Sequence, residues 1–351
     1  MPINFSKLYD TAMKMHAQIP YNFFNGYAFP PLRISFMVTY RCNLNCQMCF
    51  QRNYRYQNPD KGELSFDAIK KIIDQTPPYT LFTWTGGEPF VRKDMIDILQ
   101  YASSRNPCNV LTNASLLDEE KIKVIVDSKV KLLGISIDGI GMEHDKIRGR
   151  KGCFKETLEA IRTLQTYKRK KQSRFPLLDI KTMILAENIG QMQKIVDLAI
   201  QLKADFLTLS FPFGNYPFNP VAEQKLSKFT EHSEEEEVNI QQFLNCIKLL
   251  DMKNSPLRLR LYPDIELENH KEFSFMDLSQ YQPCKIPWSH LWISPSGDVF
   301  PCLPYEIGNL CRNDLKTLWN NRPFQSFRQM IKDKATVPGC VGCCYLKQYR
   351  N

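Results

Sequence analysis

The sequence predicts an α/β protein: a partial (β/α)6 barrel followed by a small C-terminal β-hairpin/helix module that gathers cysteines. Three observations predict it. From Leu32 to Phe211, short apolar runs alternate with amphipathic stretches, the pattern of parallel βαβ units. The runs are β-branched or apolar along their length, as strands buried on both faces must be. After Pro212 the rhythm stops, and cysteines crowd toward the end of the 351 residues. The expected division is a lead-in at 1–31, a core barrel at 32–230, a connecting helical segment at 231–282 and a small cysteine-bearing module at 283–351.

The elements follow in order. In the lead-in, Phe5, Leu8, Ala12 and Met15 have helical spacing, which Tyr21-Asn22-Phe23-Phe24 and Pro30-Pro31 then break. A helix capping the barrel is expected there. Strands are expected at Arg33–Tyr40, Thr80–Thr85, Asn109–Thr112, Lys131–Ile137, Leu177–Ile184 and Phe206–Phe211. Helices are expected between them at Phe66–Asp74, Met95–Ser103, Glu119–Asp127, Phe154–Lys168 and Met192–Leu202. Pro212, Pro217 and Pro220 mark a loop, and the aromatic stretch Phe211–Tyr216 at the barrel mouth reads as packing, with the lining of a substrate pocket as the alternative. Glu234–Glu237 opens a helix through Asp251, where acidic side chains suit the first-turn dipole.

Composition excludes several classes. Hydrophobic residues make up 43% and charged residues 24%, so the chain is neither disordered nor fibrous. No apolar run reaches the length of a membrane span, and no charged n-region precedes an apolar stretch at the N-terminus. A cytoplasmic protein is expected. Lys and Arg total 46 against 37 Asp and Glu, and the resulting +9 favours an anionic ligand without proving one. Lys168-Arg169-Lys170-Lys171 with Arg174 reads as a solvated helix end rather than an RNA site.

The 12 cysteines are unevenly spread. Cys42, Cys46 and Cys49 lie in one loop after the first expected strand; Cys284, Cys302, Cys340, Cys343 and Cys344 lie toward the end. Disulfide frameworks do not crowd thiols this way, whereas iron–sulfur and zinc sites do. Three thiolates leave one vertex of a four-metal cluster open for an exogenous ligand. Cys108, Cys153 and Cys246 are expected to pack as small hydrophobes, and Cys311 is left open. The second strand ends in Thr85-Gly86-Gly87-Glu88-Pro89, where two glycines permit close backbone approach at the end of the strand on which barrel enzymes build their sites.

The triplet, followed one βα unit later by this Gly-Gly-Glu turn, resembles the radical S-adenosylmethionine (SAM) superfamily. The resemblance implies that Cys42, Cys46 and Cys49 hold a [4Fe–4S] cluster whose fourth iron binds SAM. Met48 stands where the family usually has an aromatic residue near the adenine. Gly86, Gly87 and Glu88 match the motif that takes the methionine amino group. Three further segments match: Leu111-Thr112-Asn113, Ser136-Ile137-Asp138-Gly139, and His144 through Gly149. They bring Asn113, Ser136, Asp138 and Arg148 to the cofactor, with Arg148 as a carboxylate partner or as half of a loop ion pair with Asp138. His144 is expected to cap its loop.

The C-terminal segment reads as a hairpin, Leu291–Ser294 and Val299–Cys302 about a turn with Gly297, followed by the knuckle Cys340-Val341-Gly342-Cys343. It resembles the twitch and SPASM extensions of radical SAM enzymes. The implied ligands of a second, auxiliary [4Fe–4S] cluster are Cys284, Cys302, Cys340 and Cys343, with Cys344 as substitute for Cys343; zinc in the same thiols is the alternative.

The resemblance implies reductive cleavage of SAM to a 5′-deoxyadenosyl radical that abstracts a substrate hydrogen. The auxiliary cluster would assist oxidation or coupling of a small molecule or peptide, with flavodoxin or ferredoxin as one-electron donor. Two other readings stay open: an RNA-modifying radical SAM enzyme, and a non-catalytic iron–sulfur redox protein or sensor.

Overall fold

The computed structural model describes residues 5–49, 51, 62–211, 242–252, 254–265, 277–302, 305–336, 340, 343 and 345–349. Helix α1 (Phe5–Phe23) leads into β1 (Arg33–Met37). Repeated units follow: α2 (Phe66–Asp74), β2 (Leu81–Thr85), α3 (Met95–Arg105), β3 (Cys108–Thr112), α4 (Glu119–Asp127) and β4 (Leu132–Ser136). Then come α5 (Met142–Arg148), α6 (Cys153–Lys171), β5 (Leu177–Met183), α7 (Met192–Gln201) and β6 (Phe206–Ser210). Local chemistry sets the helix starts. Ser65 and Asp118 cap α2 and α4 by accepting from the Ala68 and Lys121 backbone N–H groups.

Strands β1 to β6 pair in sequence, all parallel. Alternation along each strand separates two environments. Ile34, Phe36, Phe82, Trp84, Leu133, Ile135, Ile180 and Leu207 are fully or almost fully buried in the main core, which they share with Ile69, Ile98, Ile122, Ile161 and Ile195 of the helices. Trp84 stacks between Phe36 and Phe82, with centroids 5.4 and 5.1 Å away. The opposite faces look into the barrel and are largely polar.

The segment after β6 differs from the expected helical connector. The Glu234–Glu237 run and the Pro212–Tyr216 part of the aromatic loop lie outside the described residues. A helix covers 242–248, and β7 (Arg258–Tyr262) then pairs parallel with β6, adding a seventh strand to the barrel. The signal was in the chain: Leu257, Leu259 and Leu261 alternate with Arg258, Arg260 and Tyr262, a period of two.

The C-terminal module is built into the same sheet. The expected hairpin is present as β8 (His290–Ile293) and β9 (Asp298–Phe300), with β10 (Gly308–Asn309) beside it. Strand β8 pairs parallel with β1, so the sheet runs β10-β9-β8-β1-β2-β3-β4-β5-β6-β7. Helices α8 (Leu315–Trp319) and α9 (Arg322–Lys334) complete the module.

The lead-in caps this module. Helix α1 runs through Pro20, and its Tyr21 ring meets Trp288 edge-on at 4.9 Å. Met15, expected on the apolar stripe, is exposed. Arg328 on α9 is fully buried and clamps the lead-in: it donates to Gly26 O (3.0 Å), Pro287 O (2.8 Å) and Asn320 Oδ1 (2.9 Å). Its guanidinium also lies over the Trp319 and Phe324 rings.

Candidate active site

Four consecutive strands deliver the site from their carboxyl ends. Strand β1 feeds the cysteine loop, and backbone hydrogen bonds hold that loop on two sides. On one side, Gly87 N–H donates to Thr39 O (2.7 Å) and Glu88 N–H to Arg41 O (2.9 Å). On the other, Asn45 and Gln47 N–H groups donate to Arg148 O (3.2 Å) and Ile147 O (3.0 Å) at the end of α5. Arg92 also ties the strand exit, donating to Val38 O at 3.0 Å and pairing with Asp94.

The Gly-Gly turn therefore has a protein partner of its own. A Cβ on Gly87 would lie 2.7 Å from Tyr40 O and closer still to Arg41 O. The glycine permits close approach, as the sequence suggested, and the backbone approached is that of the cysteine loop.

Glu88 is buried and satisfied. Its carboxylate accepts from Thr112 Oγ1 (2.7 Å), Asn113 N–H (2.8 Å) and Phe90 N–H (3.2 Å). Burial pushes its pKa up to about 7, against the pull of these donors. Glu88 thus locks the end of β3 to the end of β2. Asn113, so placed, reaches back to the cysteine loop, with Nδ2 3.0 Å from Asn43 Oδ1 and 4.0 Å from Cys42 Sγ.

Asp138, after β4, is 1% exposed. It forms an ion pair with Arg148, which is close to fully buried, and accepts from Met183 N–H at 2.7 Å. Burial raises the Asp138 pKa against those two partners. Burial also works against the Arg148 charge, but Asp138 and the Cys46 sulfur hold the guanidinium protonated. Arg148 Nη1 lies 3.6 Å from Cys46 Sγ, so one cation joins β4 to the thiol triplet. His144 serves this arrangement: its Nδ1 accepts the Asp138 N–H (3.2 Å), and burial pushes its pKa down to about 3, keeping the ring neutral. Ser136 is half-buried at the end of β4.

Cys42, Cys46 and Cys49 pack in one small group with Leu44, Met48 and Cys153. Their sulfurs sit among donors: Leu44 N–H is 3.4 Å from Cys42 Sγ, beside the Asn113 and Arg148 contacts. Donors aimed at sulfur stabilise thiolate and tune a cluster. The set therefore fits a [4Fe–4S] cluster. Cys153, expected to be packing, is fully buried but forms part of the wall of this group. Its thiol donates to Asp145 Oδ1 at 3.3 Å, and burial followed by that carboxylate pushes its pKa up to about 12, so it stays protonated. Asp145 belongs to the matched His144–Gly149 segment, which assigned it no role; it also accepts from the Phe154 N–H (2.8 Å) and so caps α6.

In the C-terminal module, Cys284 is pushed up to about 12 by burial and by its neighbours Cys343 and Cys340. Negative charge on Cys343 and Cys340 opposes ionisation of Cys284, and bound cationic metal would relieve that repulsion. Cys340 and Cys343 are joined by a 2.9 Å backbone hydrogen bond across the knuckle, and Cys302 ends the hairpin opposite Tyr305. Cys344 lies outside the described residues. Among the described residues, no three His, Cys, Asp or Glu side chains close on a single-ion site. Cys108 is buried and faces Trp84 Nε1 at 3.3 Å, Cys246 is half-buried and Cys311 is exposed.

Comparison with known proteins adds the family. The radical SAM superfamily model matches residues 36–199, and the SPASM iron–sulfur cluster-binding domain model matches residues 284–344. The chain is a radical SAM protein with a C-terminal SPASM domain. It is 27% identical over 341 residues to the antilisterial bacteriocin subtilosin biosynthesis protein AlbA of Bacillus subtilis, covering 90% of this chain and 68% of AlbA. It is also 27% identical over 331 residues to the AdoMet-dependent heme synthase of Methanosarcina barkeri, covering 91% and 89%. Among solved structures, Streptococcus suis SuiB bound to S-adenosylmethionine shares the fold at 15% identity, with a TM-score of 0.63 over 90% of this chain and 71% of SuiB.

The radical SAM domain brings SAM and a [4Fe–4S] cluster, and the SPASM domain brings further iron–sulfur ligation. The chain is an enzyme of this type. No described helix is long and apolar enough to cross a membrane.

Proposed function

We propose that this radical SAM/SPASM enzyme oxidises or couples a peptide or small molecule held inside the barrel, with Cys42, Cys46 and Cys49 as ligands of the SAM-binding cluster. When bound, that cluster and SAM supply the 5′-deoxyadenosyl radical. The observation that carries the reading is the convergence of four strand ends on the thiol triplet, with Arg148 bridging Asp138 and Cys46. Gly86, Gly87, Glu88, Asn113 and Ser136 line the same rim, and Met48 offers an apolar wall beside the cysteines.

Arg148 and Asp138 form a buried pair beside the thiol triplet. The guanidinium suits a SAM carboxylate as well as Cys46. Its pairing sets the local charge before any ligand arrives. The polar inward faces of the strands meet the substrate, while the helical shell keeps bulk water from the radical.

Cys284, Cys302, Cys340 and Cys343 hold the auxiliary cluster. Since β8 pairs directly with β1, the module carrying those cysteines shares the sheet that feeds the cysteine loop. A peptide substrate is supported by the likeness to AlbA and to the PqqA peptide cyclase of Bradyrhizobium diazoefficiens, and SuiB binds the precursor peptide SuiA. Flavodoxin or ferredoxin is the proposed electron donor, in a reducing, cytoplasmic setting.

The test is anaerobic reconstitution followed by dithionite and SAM. Formation of 5′-deoxyadenosine is expected, and its abolition in Cys42→Ala. Intact clusters with no cleavage under any reductant would overturn the reading and leave the non-catalytic one. Iron near four per chain rather than about eight would remove the auxiliary cluster.

A further inference from the structure

Midway down the barrel, the inward faces of β5, β6 and β7 carry an excess of cation that the site described above does not use. Lys181 on β5 is in register with Thr208 on β6, and Thr208 with Arg260 on β7. All three share the inward face with Asp179, Phe206 and Arg258, since side chains alternate and Leu207, Leu209, Leu259 and Leu261 take the other face.

Asp179 is the one carboxylate among the described residues that pairs with this group. It is 1% exposed, accepts from Thr208 Oγ1 (2.7 Å) and meets Lys181 Nζ at 3.0 Å. Arg260 Nη1 stands 3.8 Å from it, beyond hydrogen-bond length. Among the described residues the Arg260 guanidinium makes no hydrogen bond at all. Instead it lies 3.2 Å over the centroid of the Phe206 ring, with Arg258 at 4.0 Å. Cation–π stacking orients the planar group and leaves its N–H edges free. Burial pulls Arg260 below the usual guanidinium range, and the charges of Arg258 and Arg33 pull the same way. Lys181 and Arg260 are partly exposed.

The placement of Lys181 is built in. A Cβ on Gly134, on neighbouring β4, would lie 2.8 Å from Lys181 Cε and 2.6 Å from Leu111 Cδ2. Glycine inside a strand weakens it, and here it makes room for the lysine stem to lie across β4. Lys181 sits two residues below Met183, whose N–H holds Asp138, so its backbone lies roughly 7 Å beneath the cofactor rim.

We propose that Lys181 and Arg260, backed by Arg33 and Arg258, form a shelf that binds an oxyanion of the substrate, a carboxylate or a phosphate, beneath the rim. One fixed carboxylate against several cations leaves positive charge that an anionic group neutralises, and the stacked guanidinium offers it a two-pronged edge. The inference rests on the proposed function for where the substrate lies.

The test uses the full reconstituted chain and two probes, succinate and inorganic phosphate, titrated calorimetrically. Saturable binding of one or both is expected, and the tighter probe identifies the oxyanion. Arg260→Gln should weaken that binding at least tenfold, and Arg260→Lys should recover part of it. Lys181→Met should do the same, with its melting temperature checked because Asp179 loses a partner. Lys170→Ala, in the exposed run at the end of α6, should leave binding unchanged. No binding of either probe at millimolar concentration would overturn the proposal. So would an equal loss in Lys170→Ala, which would mean general surface electrostatics. Formation of 5′-deoxyadenosine by the wild-type enzyme without any probe reports on the proposed function separately.

Discussion

Gly87→Ala tests whether the Gly-Gly turn holds the cysteine loop. The added Cβ would stand 2.7 Å from Tyr40 O, where ordinary contact begins at 3.4 Å, and it would press harder on Arg41 O. The opposing atoms are backbone, so the clash is not relieved by a side-chain rotation. The strand exit must retreat by about 0.7 Å or more, which strains the bonds from Gly87 and Glu88 N–H to Thr39 and Arg41 O. Overpacking of this kind costs about 1–3 kcal/mol. A shift approaching 1 Å at a reacting centre costs on the order of 100-fold in rate. The expected result is a modest fall in melting temperature and a 10- to 100-fold loss of SAM cleavage, on the order set by that displacement. Iron bound by the C-terminal thiols should be retained, read in a Cys42→Ala/Cys46→Ala/Cys49→Ala background. Gly190→Ala is the control, because nothing lies within 4 Å of a Cβ there. If Gly87→Ala melts, loads iron and cleaves SAM as the wild type does, the turn does not hold the loop.

Arg148→Met leaves Asp138 buried without its cation, at a cost of about 3–5 kcal/mol, and should lower the melting temperature well beyond the effect of an exposed substitution such as Lys155→Met. Glu88 has its pKa raised from 4.5 to about 7, so the folded state holds its proton more tightly. Its contribution is complete below about pH 4.5 and is lost as pH rises toward 7, a change of about 3 kcal/mol at most. His144 works in the opposite sense: depressed from 6.5 to about 3, its contribution is complete above pH 6.5 and is lost as pH falls. Denaturant unfolding from pH 4.5 to 7 should therefore show a more positive slope with pH in Glu88→Gln than in wild type. Identical slopes would refute the burial argument. Arg328→Ala should cost about 3 kcal/mol and expose residues 25–30 to proteolysis, since the Gly26 and Pro287 carbonyls lose their donor.

Much of the barrel was legible from period and length alone, since short, mostly apolar runs such as Lys131–Ile137 alternate with amphipathic stretches, the pattern of parallel βαβ units. β7 was legible in principle, but its leucine–arginine alternation reads as a half-solvated strand. Arginine is expected to face water, and here it faces the barrel interior. The role of Gly134 was not legible, because the side chain that needs its missing Cβ lies on the next strand, Lys181, distant in sequence. The same holds for Asp145, whose partners are set by the turn between α5 and α6.

The chemistry was legible before any fold through a family resemblance carried by local patterns: three thiols at short spacing after one strand and a Gly-Gly-Glu turn after the next. The tertiary structure decided what those residues hold. It made Gly87 a seat for the cysteine loop, made Arg148 the bridge from Asp138 to Cys46, and paired β8 with β1 so that the C-terminal thiols share the sheet of the barrel. Each of these joins residues far apart in the chain. Their energies come from burial and backbone pairing, which exist only once the sheet has closed around them.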